Sequence, residues 1–247
     1  MTSNNSKIHA ELFFDVGSPY SWIALEILLR YRSVWNMDLK LKPVLAGAVH
    51  KAASNQPPGM VPAKGLHNLE DLKRNVAYIG VPIVAPLASF MTKDFNTVPM
   101  MRLVIAALLS KDVSVDDSVT LTRSLYRGVW GRACGKDVLI TDKEFLMNRC
   151  KDAGLSDGAA SLLLAASTSS TVKQELKANT ERAIGLGAYG VPWIVIPASE
   201  FVMQESVQSK NVVATGHVTF FGSDRFEQIA YLLGKPWLGP NITPARL

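Results

Sequence analysis

Residues Phe13 to Trp22 read FFDVGSPYSW, and the fold is decided there. The run Glu11–Val16 (ELFFDV) is short, aromatic and β-branched and meets Gly17, which reads as a strand and a turn. From Ser21 to Trp35 (SWIALEILLRYRSVW), Ile23, Ile27 and Tyr31 recur at four-residue spacing with Leu28 and Trp35 beside them. That spacing predicts a helix, opened by Pro19. Leu39–Leu45 (LKLKPVL) alternates leucine with lysine, as a strand does. Strand, helix, strand is a βαβ unit, whose crossover is almost always right-handed and whose strands are parallel. Ser18 and Ser21 then stand at the helix start where many folds place a catalytic Cys-x-x-Cys pair. The spacing of a disulfide exchanger is present without its sulfur.

Further along, the Pro/Gly-rich stretch Ser54–Gly65 (SNQPPGMVPAKG) reads as a loop. Asn68 can cap the helix HNLEDLKRNVAYIG, Pro99 can open PMMRLVIAALLS, Asp142 can cap DKEFLMNRCKDAG, and Val172–Gly185 has a polar-faced helical pattern. Residues 81–185 show no convincing strand and are expected to form an all-helical insertion. Strand character returns at Val191–Ile196 and His217–Phe221, and Gly222-Ser223-Asp224 then opens the helix RFEQIAYLLG, with Gly234 as its stop. The expected architecture is α/β: βαβ, then helices, then ββα. The first domain spans 1–80 and 186–247, and the inserted helical domain spans 81–185.

Composition bounds the function. Hydrophobic residues make up 48% and charged residues 19%, the balance of a folded globular chain. The net charge of +5 is spread without basic runs, so nucleic acid is not expected as a partner. No apolar run reaches the roughly 18 residues of a membrane span. The N-terminal MTSNNSKIHA is polar, which argues against a secretory signal. Two cysteines, Cys134 and Cys150, have fifteen residues between them and form no Cys-x-x-Cys, so neither a disulfide framework nor a metal site is indicated. The terminal Ala245-Arg246-Leu247 has the form of a peroxisomal address. The acid-poor N-terminus also allows mitochondrial targeting.

At Ser18 two readings of the residues stand side by side. Ser18 followed by Pro19 is an ordinary N-cap and first-turn pair. A helix N-terminus also stabilises an anion, and a hydroxyl there adds one more donor. A hydrolase nucleophile fits less well, because Gly-x-Ser-x-Gly is absent.

FFDVGSPYSW with ALEILLRYRSVWN behind it, NQPPGMVPAKG, the Gly-Val-Pro before WIVI, FFGSDRFEQIAYLLG and KPWLGP occur in one order along nearly the whole chain. Together they resemble the kappa-class glutathione transferases. The resemblance implies a thioredoxin-like fold with a helical insertion, a homodimer, and transfer of glutathione sulfur to small hydrophobic electrophiles, with glutathione as co-substrate and no tightly bound cofactor. In that family the serine opening Ser-Pro-Tyr-Ser, here Ser18, hydrogen-bonds the glutathione sulfur, and Pro19 and Tyr20 belong to the same motif. Asn55 and Lys64 match residues that reach the glycine end, although alone they would read as a turn residue and a solvated charge. Val191, before Pro192, matches the residue whose backbone pairs with the cysteinyl unit across a cis bond. Ser223 and Asp224 match the pair that holds the γ-glutamyl end, and acidic residues there also suit a helix start.

Two departures from the family pattern stand out. Gly17 replaces a larger apolar residue, and Ser199–Thr215 is longer than the usual hairpin connection. The alternatives are a glutathione-dependent isomerase of hydroxychromene carboxylate type and a non-catalytic chaperone or scaffold with this fold.

Overall fold

The computed structural model describes residues 7–84, 95–131 and 140–242. Cys134 and Ala245-Arg246-Leu247 lie outside the described residues. A four-stranded sheet has β1 (Ile8–Phe14) at its centre, between β2 (Met37–Pro43) and β3 (Trp193–Pro197), with β4 (His217–Phe221) beyond β3. β1 runs parallel to β2, with Leu12 opposite Leu41, and antiparallel to β3, with Leu12 opposite Ile194. β4 is antiparallel to β3, and Trp193 faces Phe221. The βαβ start and the ββα end thus meet in one sheet, because β3 docks against β1.

The period of two along the strands sorts their side chains between two apolar layers. Leu12, Phe14, Ile194 and Ile196 face the larger core with Ile23, Leu28, Phe226 and Ile229. These last four come from α1 (Pro19–Tyr31) and the terminal helix α11 (Phe226–Leu233). Phe13, Trp193 and Val195 face the other way, against Val49 and Ala183. Those two belong to α2 (Ala46–Ala52) and α8 (Ser170–Gly185).

The stretch expected as a loop at 54–65 is largely helical. A 3-10 turn covers Pro58–Met60, and α3 runs Pro62–Ile79, so Asn68 lies inside a helix and does not cap one. Pro62 can open α3 because the first helical position needs no N–H. Between α3 and β3 come α4 (Val98–Leu109), α5 (Val115–Trp130), α6 (Lys143–Asp152) and α7 (Asp157–Ala166), followed by α8. α5 and α7 occupy sequence left unassigned above. α5 opens on a capping box in which Ser114 and Asp117 satisfy each other's backbone N–H groups. Asp142 does sit at the N-cap of α6, but it makes no side-chain cap hydrogen bond. The long segment 199–215 folds into short turns, α9 (Gln204–Val207) and α10 (Lys210–Thr215), before β4.

α5 is tied to α1. Arg123 donates through Nε and Nη2 to the two Glu26 oxygens at 2.7 and 2.6 Å, and Trp22 stacks on Tyr126 with centroids 5.3 Å apart. A bidentate, charge-assisted pair of this kind is worth about 1.5–3 kcal/mol. At its other end α1 is strapped by the C-terminal segment. Tyr31 Oη donates to Gly239 O, Trp35 Nε1 donates to Pro236 O, and Trp237 stacks on Tyr31.

Candidate active site

Ser18 is the N-cap of α1, with φ −106° and ψ 113°, and its Oγ accepts from Ser21 N–H at 3.2 Å. Pro19 occupies the first turn. The capping role is therefore real, yet it uses only the acceptor side of the hydroxyl. The proton points elsewhere: Ser18 Oγ donates to Val191 O at 3.3 Å. The Val191–Pro192 peptide is cis. Ser18 is partly exposed, whereas Ser21 is fully buried, so of the two serines in the Cys-x-x-Cys positions only the first is open to a ligand.

The turn leading into Ser18 is held from several sides. Asp15 Oδ1 accepts from Gly17 N–H at 2.9 Å, and Oδ2 accepts from Ala46 N–H and the Thr97 hydroxyl, each at 3.0 Å. Burial pushes the Asp15 carboxyl pKa up, while the hydrogen bonds from Ala46, Gly17 and Thr97 pull the other way. Trp130 Nε1 donates to Val16 O at 2.8 Å. A Cβ on Gly17 would lie 3.2 Å from both Phe95 Cε1 and Thr97 Cγ2. Phe95 and Thr97 thus occupy the space that a larger residue at 17 would need.

Tyr20 reaches sideways to α3. Its hydroxyl donates to Asp71 Oδ2 at 2.8 Å and stands 3.0 Å from Asn68 Oδ1, while Asn75 Nδ2 donates to Asp71 Oδ2 at 2.9 Å. Burial first, then the Asp71 hydrogen bond and the charges of Asp71 and Asp224, raise the Tyr20 pKa well above that of a free phenol. Tyr20 is therefore a neutral clasp between α1 and α3. On the same helix Lys64 is exposed and lines an open cleft of about 380 Å³ with Pro58, Ala63, His67 and Asn68.

Asn55 Nδ2 donates to Tyr189 O at 2.7 Å, which ties its loop to the segment carrying Val191. From the other side Gly222, at φ +93°, donates its N–H to Pro192 O at 3.1 Å, which brings the following Ser223 and Asp224 toward the same segment. Ser223 is buried and Asp224 exposed, the latter 3.4 Å from Arg225. The N-cap of α11 is Arg225, without a side-chain cap bond, so Asp224 stands one residue before the cap and Glu227 is the acidic residue of the first turn. Ser18 and Asn55 thus touch the 189–192 segment directly, Ser223 and Asp224 follow the glycine that bonds Pro192 O, and Lys64 stands on a cleft that shares Asn68 with Tyr20.

Asp15, Thr97, Asp71 and Tyr189 have no place in the sequence reading. Asp15 carries a signal, being a charge at the end of an apolar run. The other three do not. Cys150 is fully buried, and burial pushes its thiol up to about 11, away from the low values of reactive thiolates. Among the described residues no group of three or more His, Cys, Asp or Glu side chains could hold a metal, and no helix is long and apolar enough to cross a membrane.

Residues 10–234 match the family model described as a DSBA-like thioredoxin domain. The chain is 35% identical over 235 residues to glutathione S-transferase kappa 1 of Homo sapiens, covering 95% of this chain and 94% of that one. It is 31% identical to glutathione S-transferase kappa 2 of Caenorhabditis elegans, covering 96% of each chain. The solved structure of a 2-hydroxychromene-2-carboxylate isomerase superposes with a TM-score of 0.65 at 18% identity, over 92% of this chain and 95% of that one, a likeness of fold. By sequence and by fold, the chain belongs to the DsbA-like thioredoxin family and, within it, to the kappa class of glutathione transferases.

Proposed function

We propose that this protein is a glutathione transferase in which Ser18 and the N-terminus of α1 stabilise the bound glutathione as its thiolate. The observation that carries the reading is the direction of the Ser18 hydroxyl. It points out of its own helix to the Val191 carbonyl, and would turn from that oxygen to the sulfur of a ligand lying against Val191. Each unit of pKa lowering requires about 1.4 kcal/mol of preference for the charged form. One charge-assisted hydrogen bond supplies about 1.5–3 kcal/mol, so the hydroxyl alone accounts for a shift of about one to two units.

In this reading the Val191 backbone pairs with the cysteinyl unit, and Asn55 and Lys64 hold the glycine carboxylate. Ser223 and Asp224 take the γ-glutamyl carboxylate and ammonium respectively. The thiol proton leaves to solvent. The thiolate lone pair forms a C–S bond to the electrophilic carbon, and the leaving group departs with its electron pair. No covalent enzyme intermediate is needed. The helical segment 81–185 supplies the side of the site that receives a small hydrophobic electrophile, consistent with Thr97 and Trp130 touching the turn before Ser18. The working form is a homodimer, and the address is peroxisomal or mitochondrial.

The test is turnover with glutathione and an activated aryl chloride, followed by mass spectrometry of the product. Thioether carrying the glutathionyl group is expected, with its yield sharply reduced in Ser18→Ala. Glutathione recovered unconsumed while a hydroxychromene carboxylate is isomerised would replace the transferase reading by the isomerase one. Glutathione neither bound nor consumed would leave a non-catalytic protein.

A further inference from the structure

The proposed reaction gives no part to Asp15, although it is a carboxylate only 3% exposed. Its two oxygens accept from Gly17 N–H, Ala46 N–H and the Thr97 hydroxyl. Its own carbonyl accepts from Ser18 N–H at 2.9 Å and from the Tyr126 hydroxyl at 3.3 Å. These donors come from different parts of the chain. Gly17 and Ser18 form the turn itself, Ala46 starts α2, Thr97 precedes α4, and Tyr126 lies on α5. α2 leads on to Asn55, whose N–H donates to His50 O at 2.9 Å.

One buried side chain therefore registers the serine turn, the path to the glycine-end loop and the helical insertion. A carboxylate suits this place because only donors face its oxygens in the hydrogen bonds above. An amide would turn an NH₂ toward one of them, donor against donor.

The geometry points to Asp15 as a positioning residue that holds Ser18 and the α1 N-terminus in register to stabilise the bound thiolate. This inference rests on the transferase reading. A residue that merely supported the fold would change stability and leave the thiol's ionisation alone.

The test compares wild type, Asp15→Asn and Thr97→Val by the ultraviolet absorbance of bound glutathione thiolate against pH, together with KM and kcat. In Asp15→Asn the bound thiol is expected to ionise about one pH unit higher, and kcat at pH 7 to fall about three- to eightfold, the loss of thiolate when a pKa of about 6.5–7.5 rises by one unit. KM for glutathione should change much less. Thr97→Val, which removes one donor and keeps the carboxylate, should shift the titration the same way by a smaller amount, and it decides the matter if Asp15→Asn does not fold. A variant whose bound thiol titrates with that of wild type overturns the assignment of Asp15 and leaves the transferase reading intact. A wild type that binds glutathione without ionising it overturns both.

Discussion

The hydroxyl of Ser18 stands 3.3 Å from the carbonyl oxygen of Val191, 173 residues further along the chain. The group that would stabilise sulfur and the backbone that would pair with the cysteinyl unit are therefore one contact. A ligand presenting an amide to Val191 would place its sulfur beside Ser18, and a bare thiol would gain no such alignment. 2-Mercaptoethanol is expected to be a poor replacement for glutathione. Losing two backbone hydrogen bonds at about 0.5–1.5 kcal/mol each lowers kcat/KM by about 5- to 150-fold. Steady-state rates with the two thiols against one electrophile check this, and comparable kcat/KM values would rule out backbone alignment at Val191.

Gly17 is hemmed in by Phe95 and Thr97. A methyl group there would sit 3.2 Å from a carbon of each, tighter than ordinary van der Waals contact. Gly17→Ala is expected to cost about 1 kcal/mol through overpacking, read as a lower midpoint in urea. Combining it with Phe95→Ala should recover much of that loss relative to Phe95→Ala alone. Additive effects in the double mutant would show that the two residues do not compete for space.

His50 lies under the segment that carries Val191. A Cβ on Gly190 would come 3.3 Å from its Nε2, and its buried Nδ1 has no hydrogen-bond partner among the described residues. Burial lowers its pKa from 6.5, so the neutral ring is the form the fold favours. Stability from this source is fully present above pH 6.5 and is lost as pH falls through the lower folded value. Thermal midpoints should therefore decline on acidification below pH 6.5 in wild type and decline less in His50→Gln. Parallel declines would remove His50 as the cause.

The heart of the fold was legible because its signals are local. The apolar strand before Gly17, the four-residue spacing of Ile23, Ile27 and Tyr31, and Ser18 ahead of Pro19 each lie within a few residues of what they specify. The body of the helix at 62–79 was legible from His67 onward, but its first turns were not, because Pro62, Gly65 and the proline pair before them read as breakers. In the structure Pro62 takes the first helical position, and Gly65 packs near Gly59 O, 3.5 Å from where a Cβ would be. α5 did carry a signal at its start, Ser114 three residues before Asp117. The ties of Asp15 were out of reach in principle, since Ala46 and Thr97 are 31 and 82 residues away. The positions expected to bind glutathione were named by family likeness, and the approach of Ser18 and Asn55 to the 189–192 segment needed the antiparallel docking of β3 on β1.

The most direct measurement is an ultraviolet difference titration of glutathione bound to wild type and to Ser18→Ala, following thiolate absorbance against pH. Ionisation in wild type is expected well below the roughly 8.5 of a free cysteine thiol, with the shift largely lost in Ser18→Ala while the fold and most of the glutathione affinity remain. Bound glutathione that ionises no earlier than the free thiol, or a Ser18→Ala protein that keeps the full shift, would contradict thiolate activation by Ser18.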